Sequence, residues 1–157
     1  MTHSQTLIAL AIALGGLLAA PAFAQTAAAP LATTAAPAAP AGLYQALGEK
    51  PGITRLVDDF VNRVVKDPRI GGHFKDTKPV ALKESLTDQI CQLSGGPCKY
   101  EGADMKSAHA DMDINKGHFN ALVEVLQSAM DAQGIPFAQQ NRLLALLAPM
   151  HRDVITK

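Results

Sequence analysis

The chain carries no surplus charge: 14 Lys and Arg balance 14 Asp and Glu over 157 residues, a formal net charge of zero at neutral pH. The cations are scattered and form no stripe. This argues against a nucleic-acid surface, because neutralising phosphates takes clustered Lys and Arg. Cysteine is scarce. Cys91 and Cys98 are the only two, and their spacing is not the Cys-x-x-Cys of a redox pair. After Ala24 no apolar run is long enough to cross a bilayer. Nor does any stretch after Gly42 alternate polar and apolar residues as a half-buried strand does.

What is present begins with a segment that reads as targeting rather than fold. Leu7 to Ala20 is a nearly unbroken apolar run of about 14 residues, followed by the small-x-small pattern Pro21-Ala22-Phe23-Ala24-Gln25. That is shorter than the roughly 20 residues a spanning helix needs. Residues 1–24 are therefore expected to be a signal peptide and the protein periplasmic or secreted. The amino-terminal region is only weakly cationic, so an uncleaved membrane anchor stays open as the alternative. Residues 25–42 are almost entirely Ala, Pro and Thr, with no side chains able to build a core, and read as an exposed tether. Residues 43–157 then form one domain of about 115 residues. A core of that size is modest and would gain from a large apolar ligand.

Within that domain every strong apolar period is helical. Ile53, Leu56, Val57, Phe60, Val61, Val64 and Val65 recur at three- and four-residue steps, and Pro68 stops the pattern. Leu82, Leu86, Ile90 and Leu93 form a second stripe, opened near Pro79 and ended by Gly95-Gly96-Pro97. A third begins at an Asn115 cap, shows Phe119, Leu122, Val123, Leu126 and Met130, and closes at Gly134. The last has Pro136 in its first turn, then Leu143, Leu144, Leu147, Met150 and Val154, with a kink expected at Pro149. A short, weak helix spans Met105 to Ala110. The fold class is all-α.

Two features carry chemistry. In an exported protein the pair Cys91 and Cys98 is expected to oxidise, closing a loop of about eight residues and pinning the loop after the second helix. Free thiols and metal ligation are the alternatives. The other feature is His109, four residues after Met105, on a short helix held between irregular chain and an apolar helix. A neutral imidazole against an apolar slot is what an iron porphyrin requires of a protein, although the pattern alone fits a core histidine as well.

Several pieces together decide between these readings: Leu43-Tyr44 with Leu47-Gly48, Val57-Asp58-Asp59-Phe60, Asp67-Pro68-Arg69 leading to His73-Phe74, and Gly95-Gly96-Pro97 with Tyr100 and Gly102. Met105-Lys106 with Ala108-His109, Ile114 before His118-Phe119, and Leu146-Leu147-Ala148-Pro149 complete the set. Jointly they resemble a group I truncated haemoglobin, over nearly the whole chain after the tether. The resemblance implies a two-over-two helical globin-like sandwich of about four main helices plus short helices. It also implies a non-covalent haem b with iron bound by His109; the chain has no Cys-x-x-Cys-His haem-attachment pattern. It places Phe74 as the aromatic wedged against the haem, Met105 and Phe119 on the proximal side, and Tyr100 near a propionate. The two Gly regions become the turns that let shortened helices fold around the porphyrin. Val61, Leu82, Leu86, Ile90, Leu122, Val123, Leu126 and Leu147 are wall candidates. His118 and His151 read as surface or partly buried side chains instead.

One departure from the family pattern concerns the distal pocket of Val61, Leu82 and Leu86. Many group I members carry a Tyr where Val61 stands and a Gln where Leu86 stands, and those donors hold bound oxygen. Here all three side chains are apolar, and Thr87 and Gln89 are the polar groups that could reach in. The leading expectation is a haem protein that reversibly binds a diatomic gas: oxygen, nitric oxide or carbon monoxide. The alternatives are a haem enzyme (a nitric oxide dioxygenase or a peroxidase-like activity, needing an electron donor) and a haem-free helical interaction module.

Overall fold

The computed structural model describes residues 39–157; the expected signal peptide (1–24) and most of the expected tether (25–42) lie outside them. Among the described residues there are seven α-helices, two 3-10 turns and no strand. The α-helices are α1 (Leu43–Ala46), α2 (Glu49–Val64), α3 (Pro79–Leu93), α4 (Met105–Ala108), α5 (Lys116–Ala132), α6 (Phe137–Leu147) and α7 (His151–Val154). The 3-10 turns cover Gly71–Phe74 and Ala148–Met150. No helix among the described residues is long and apolar enough to cross a membrane.

The long helices follow the apolar stripes. In α2, Ile53, Leu56, Val57, Phe60, Val61 and Val64 are all buried, while Asp58, Asn62 and Arg63 face solvent. The helix gives way after Val65, since a residue preceding proline is pushed out of the helical region and Asp67 precedes Pro68. Pro79 occupies the first turn of α3, where its missing N–H costs nothing. α5 opens on a reciprocal cap in which Asn115 Oδ1 accepts from the His118 backbone N–H at 2.9 Å, and the His118 ring accepts from the Asn115 N–H. Pro136 stands one residue earlier than the sequence suggests: it caps α6 from outside, with an extended ψ of 141°.

Packing places α2 at the centre, against α3 on one side and α5 on the other, with α1 reaching across to α6. The end of α5 is tied to the start of α6 by Gln140, whose buried amide donates to Asp131 Oδ1 (2.7 Å) and to the Ile135 carbonyl (2.9 Å). The helical sandwich is thus built on α2, with α3 and α5 packed against it and α6 joined through α1 and the Gln140 bonds. Pro149 does more than bend α6. It converts the chain to a 3-10 turn, after which α7 runs off and packs on α4. Beyond α7 the Thr156 and Lys157 N–H groups both donate to the Ile114 carbonyl, and Thr156 Oγ1 accepts from the Ile114 N–H at 2.9 Å. The chain end therefore anchors the segment that leads from α4 into α5.

At the other end of α4 lies the loop after α3. The Cys91 and Cys98 sulfurs stand 1.97 Å apart, with Cα atoms separated by 5.7 Å. The Tyr100 N–H donates to Gln92 Oε1. A Cβ at Gly102 would meet the Tyr100 ring at 2.5 Å, so a larger residue there would have to push that ring aside. The loop is folded on itself and stapled to α3, so α4 starts from a fixed point.

Two outcomes test this packing. Leu143 is fully buried in the core, and Leu143→Ala should lower the unfolding free energy by about 2–5 kcal/mol in a denaturant titration. Reducing the Cys91–Cys98 bond should cost about 2.5 kcal/mol by loop-closure entropy, read as a lower unfolding midpoint in dithiothreitol than in its absence.

Candidate functional site

A four-residue helix has no stability of its own, since helix nucleation fixes more backbone than its few hydrogen bonds repay. α4 is held by local chemistry instead. Asp104 caps it in extended backbone: Oδ1 accepts from the Ser107 N–H at 2.9 Å, and Oδ2 accepts from the Ser107 hydroxyl at 2.7 Å. The Ser107 backbone N–H, then its hydroxyl, hold the Asp104 carboxyl below the ordinary aspartate value. At the other end the chain leaves through Asp111 (φ 60°) and Asp113 (φ 53°), left-handed positions that Asp tolerates better than most residues.

His109 terminates α4. Its N–H donates to the Met105 carbonyl at 3.1 Å, and its ring Nδ1 lies 2.7 Å from the same oxygen. A carbonyl only accepts, so Nδ1 carries the proton and Nε2 is left with its lone pair. The ring is half-buried. One ring nitrogen is thus oriented by the backbone and the other keeps a free lone pair, the donor chemistry that a metal ion takes.

The apolar residues divide into two groups. Val61, Ile90 and Leu126 are closed into the core at 1%, 4% and 6% exposure. Phe74, Leu82, Leu86, Leu122 and Leu147 pack on that core yet stay half-open, as do Met105 and Phe119. Phe119 presents its ring edge-on to His151, with centroids 4.8 Å apart. These half-open residues come from the turn before α3, from α3, α4 and α5, and from the end of α6. α3 and α5 each pack on α2 rather than on one another. A histidine with one free ring nitrogen and a band of half-covered apolar residues are the two kinds of group that a porphyrin takes. Two charged surface grooves, one lined by Arg63, Asp67, Arg69 and Glu124 and one between α2 and α3, do not include His109 in their lining.

Tyr100 is engaged within its own loop. Its hydroxyl turns back to donate to the Ala103 carbonyl at 2.7 Å. The two polar candidates on α3 also separate. Thr87 lines the groove of about 380 Å³ shared with Lys50, Thr54 and Asp58 of α2. Gln89, 7% exposed, instead directs its amide to the sulfurs of Met105 (3.6 Å) and Met150 (3.9 Å). Sequence reasoning missed three features: this Gln–Met cluster, the Asp104 cap, and a contact between His73 Nε2 and His118 Nδ1 at 3.1 Å. Only the cap had a sequence signal, an Asp standing just before a short helix with Ser three residues on.

A family model described as bacterial-like globin matches residues 42–156. Among curated relatives, a group 1 truncated hemoglobin of Mycolicibacterium paratuberculosis is 30% identical over 119 residues, spanning 76% of this chain and 88% of that protein. One from Tetrahymena pyriformis is 29% identical over 118 residues, spanning 75% and 98%. The solved Fe(III) form of truncated hemoglobin from Tetrahymena pyriformis superposes with a TM-score of 0.70 at 29% identity, covering 73% of this chain and 98% of that one. The 2/2 hemoglobin of a Synechococcus species, solved with covalently attached heme, shares the fold at a TM-score of 0.69 and 22% identity, covering 73% of this chain and 98% of that one.

The Asp104 cap yields a pH prediction. Its folded value is depressed, so the stabilisation it gives is present above the unfolded value of 3.8 and is lost as pH falls through the lower folded value. Hydrogen exchange at the Ser107, Ala108 and His109 amides should accelerate over that acidic window. Asp104→Ala should show the faster exchange already at neutral pH.

Proposed function

The chain belongs to the bacterial-like globin family, whose members bind haem and gas, and from that premise we propose a non-covalent haem b protein that reversibly binds a diatomic ligand with His109 Nε2 on the iron. The observation that carries this reading is the 2.7 Å bond from His109 Nδ1 to the Met105 carbonyl. It fixes the tautomer, aims the remaining nitrogen, and makes that nitrogen a better electron donor. Haem supplies a ferrous iron able to take a small gas reversibly. Phe74, Leu82, Leu86, Leu122 and Leu147 supply the apolar faces, and covering them gains about 25 cal/mol per Å² removed from water. Met105 and Phe119 extend that surface beside His109. The absence of a cysteine pair ahead of a histidine in the attachment spacing supports a haem held without thioethers to a pair of cysteines.

Ligand choice follows from the other side. Val61, Leu82 and Leu86 donate no hydrogen bond. One such bond to a charged or partly charged acceptor is worth about 1.5–3 kcal/mol, so oxygen forfeits more than carbon monoxide or nitric oxide does. We also propose that residues 1–24 direct export and that Cys91 and Cys98 are oxidised in the exported protein. The apolar run before Ala24 and the pairing of Cys91 with Cys98 support this.

The decisive measurement is the absorption spectrum of the ferrous, haem-reconstituted protein with and without carbon monoxide. A Soret band that shifts on adding carbon monoxide is expected. His109→Gly should lose iron ligation, and added imidazole should restore it. No Soret band after reconstitution would remove the proposal.

A further inference from the structure

We infer that His73 and His118 are a positioning pair, a proton-sensitive latch that holds the turn carrying Phe74 against the head of α5. Its consequence for the cofactor rests on the haem reading, whereas the latch itself belongs to the apoprotein. His73 Nε2 and His118 Nδ1 lie 3.1 Å apart, with ring centroids 4.6 Å apart. Both rings are half-buried. His73 precedes Phe74 in the 3-10 turn Gly71–Phe74, and His118 stands in the first turn of α5. The contact therefore ties a short turn, which has little stability of its own, to a long helix packed on α2.

Only one hydrogen fits between the two rings. The cap of α5 decides which ring brings it: the Asn115 backbone N–H points at the same His118 Nδ1, at 3.5 Å. A backbone N–H only donates, so Nδ1 presents its lone pair and His73 Nε2 carries the hydrogen. One lone pair thus serves two donors, one from the helix cap and one from the turn. A proton on that nitrogen removes both bonds together and leaves donors face to face. Imidazole is the side chain that gains its charge between about pH 5 and 8.

The surrounding charges do not offset that proton. Among the described residues neither ring enters an ion pair with a carboxylate, and the Asn115 side-chain amide stands 3.5 Å from His118 Nε2. Before the turn, Asp67 is held by Arg69, which also pairs with Glu124 of α5. After it, Lys75 and Asp76 are exposed, as are Lys116 at the start of α5 and Lys66 beyond α2. Arg63 of α2 pairs with Asp59, and Asp113 ahead of α5 pairs with Lys157. His151 meets Phe119, the residue after His118. Arg69–Glu124 is a second tie between the same turn and α5, but guanidinium and carboxylate groups keep their charges across the imidazole interval. The histidine link is the one that responds.

The test compares wild type, His118→Gln, His118→Ala and His151→Gln across that interval, as apoproteins and after haem reconstitution. Gln at this third helical position accepts from the cap N–H and does not titrate. In the wild-type apoprotein, hydrogen-exchange protection at the Asn115, His73 and Thr77 amides, corrected for intrinsic rates, should fall roughly two- to ten-fold on acidification, the range one hydrogen bond spans. His118→Gln should hold it constant, His118→Ala should be low throughout, and His151→Gln should follow wild type. Haem transfer to an excess of a scavenging apoglobin should quicken by a similar factor in wild type and lose that step in His118→Gln. Acid effects arising at His109 are common to all four proteins and cancel in the comparison. Protection that ignores pH in wild type, or a step that survives in His118→Gln, would overturn the latch. Apoprotein exchange that behaves as expected in a chain that takes up no haem would sink the parent proposal and leave the latch standing.

Discussion

The hydrogen bond from the His109 ring to the Met105 carbonyl organises the site. Without it the imidazole has two tautomers and a free ring rotation, and a metal ion would have to select one of many arrangements. With it, one nitrogen is committed to the backbone and the other is presented. The constraint is inexpensive because it is local, spanning four residues. It holds only if α4 itself exists, and the remaining architecture can be understood as the means of keeping those four residues helical.

Three supports converge on α4. Asp104 satisfies the donors at its start. The loop before it is folded against Tyr100 and stapled near Cys91 and Cys98. α7 lies against it, and reaches it because Pro149 interrupts α6. None of these contacts buries much apolar surface. The large core of α2, α5 and α6 supplies the stability, and the slender supports transmit it to the turn that carries His109. Half-open Phe74, Leu82, Leu86, Leu122 and Leu147 are the counterpart: apolar area that the chain does not cover by itself.

The long helices were legible because each obeys one period and has a recognisable stop. Ile53 through Val64 predicts the buried face of α2, and Asn115 predicts its capped α5 almost to the residue. His109 was legible as a member of a spaced set rather than from its own surroundings. Other features depend on distance through space. Gln89 and Met150 are 61 residues apart, and His73 and His118 are 45 apart, so no local pattern announces either contact. Tyr100 illustrates the opposite limit. Its place in the motif was readable, but the direction of its hydroxyl is set by the loop closing on Ala103. The exposure difference between Leu86 and Ile90 likewise arises from which neighbour each meets, not from residue type.

The two backbone bonds from Thr156 and Lys157 to Ile114 impose an order of events. They come from Thr156 and Lys157, and the segment they secure follows directly on the turn that carries His109. A chain emerging from a ribosome or an export channel has α2, α3 and α5 available for collapse well before those final residues arrive. Until then, α4 lacks one of its anchors. The turn that carries His109 is consequently secured later than the helices that pack around it.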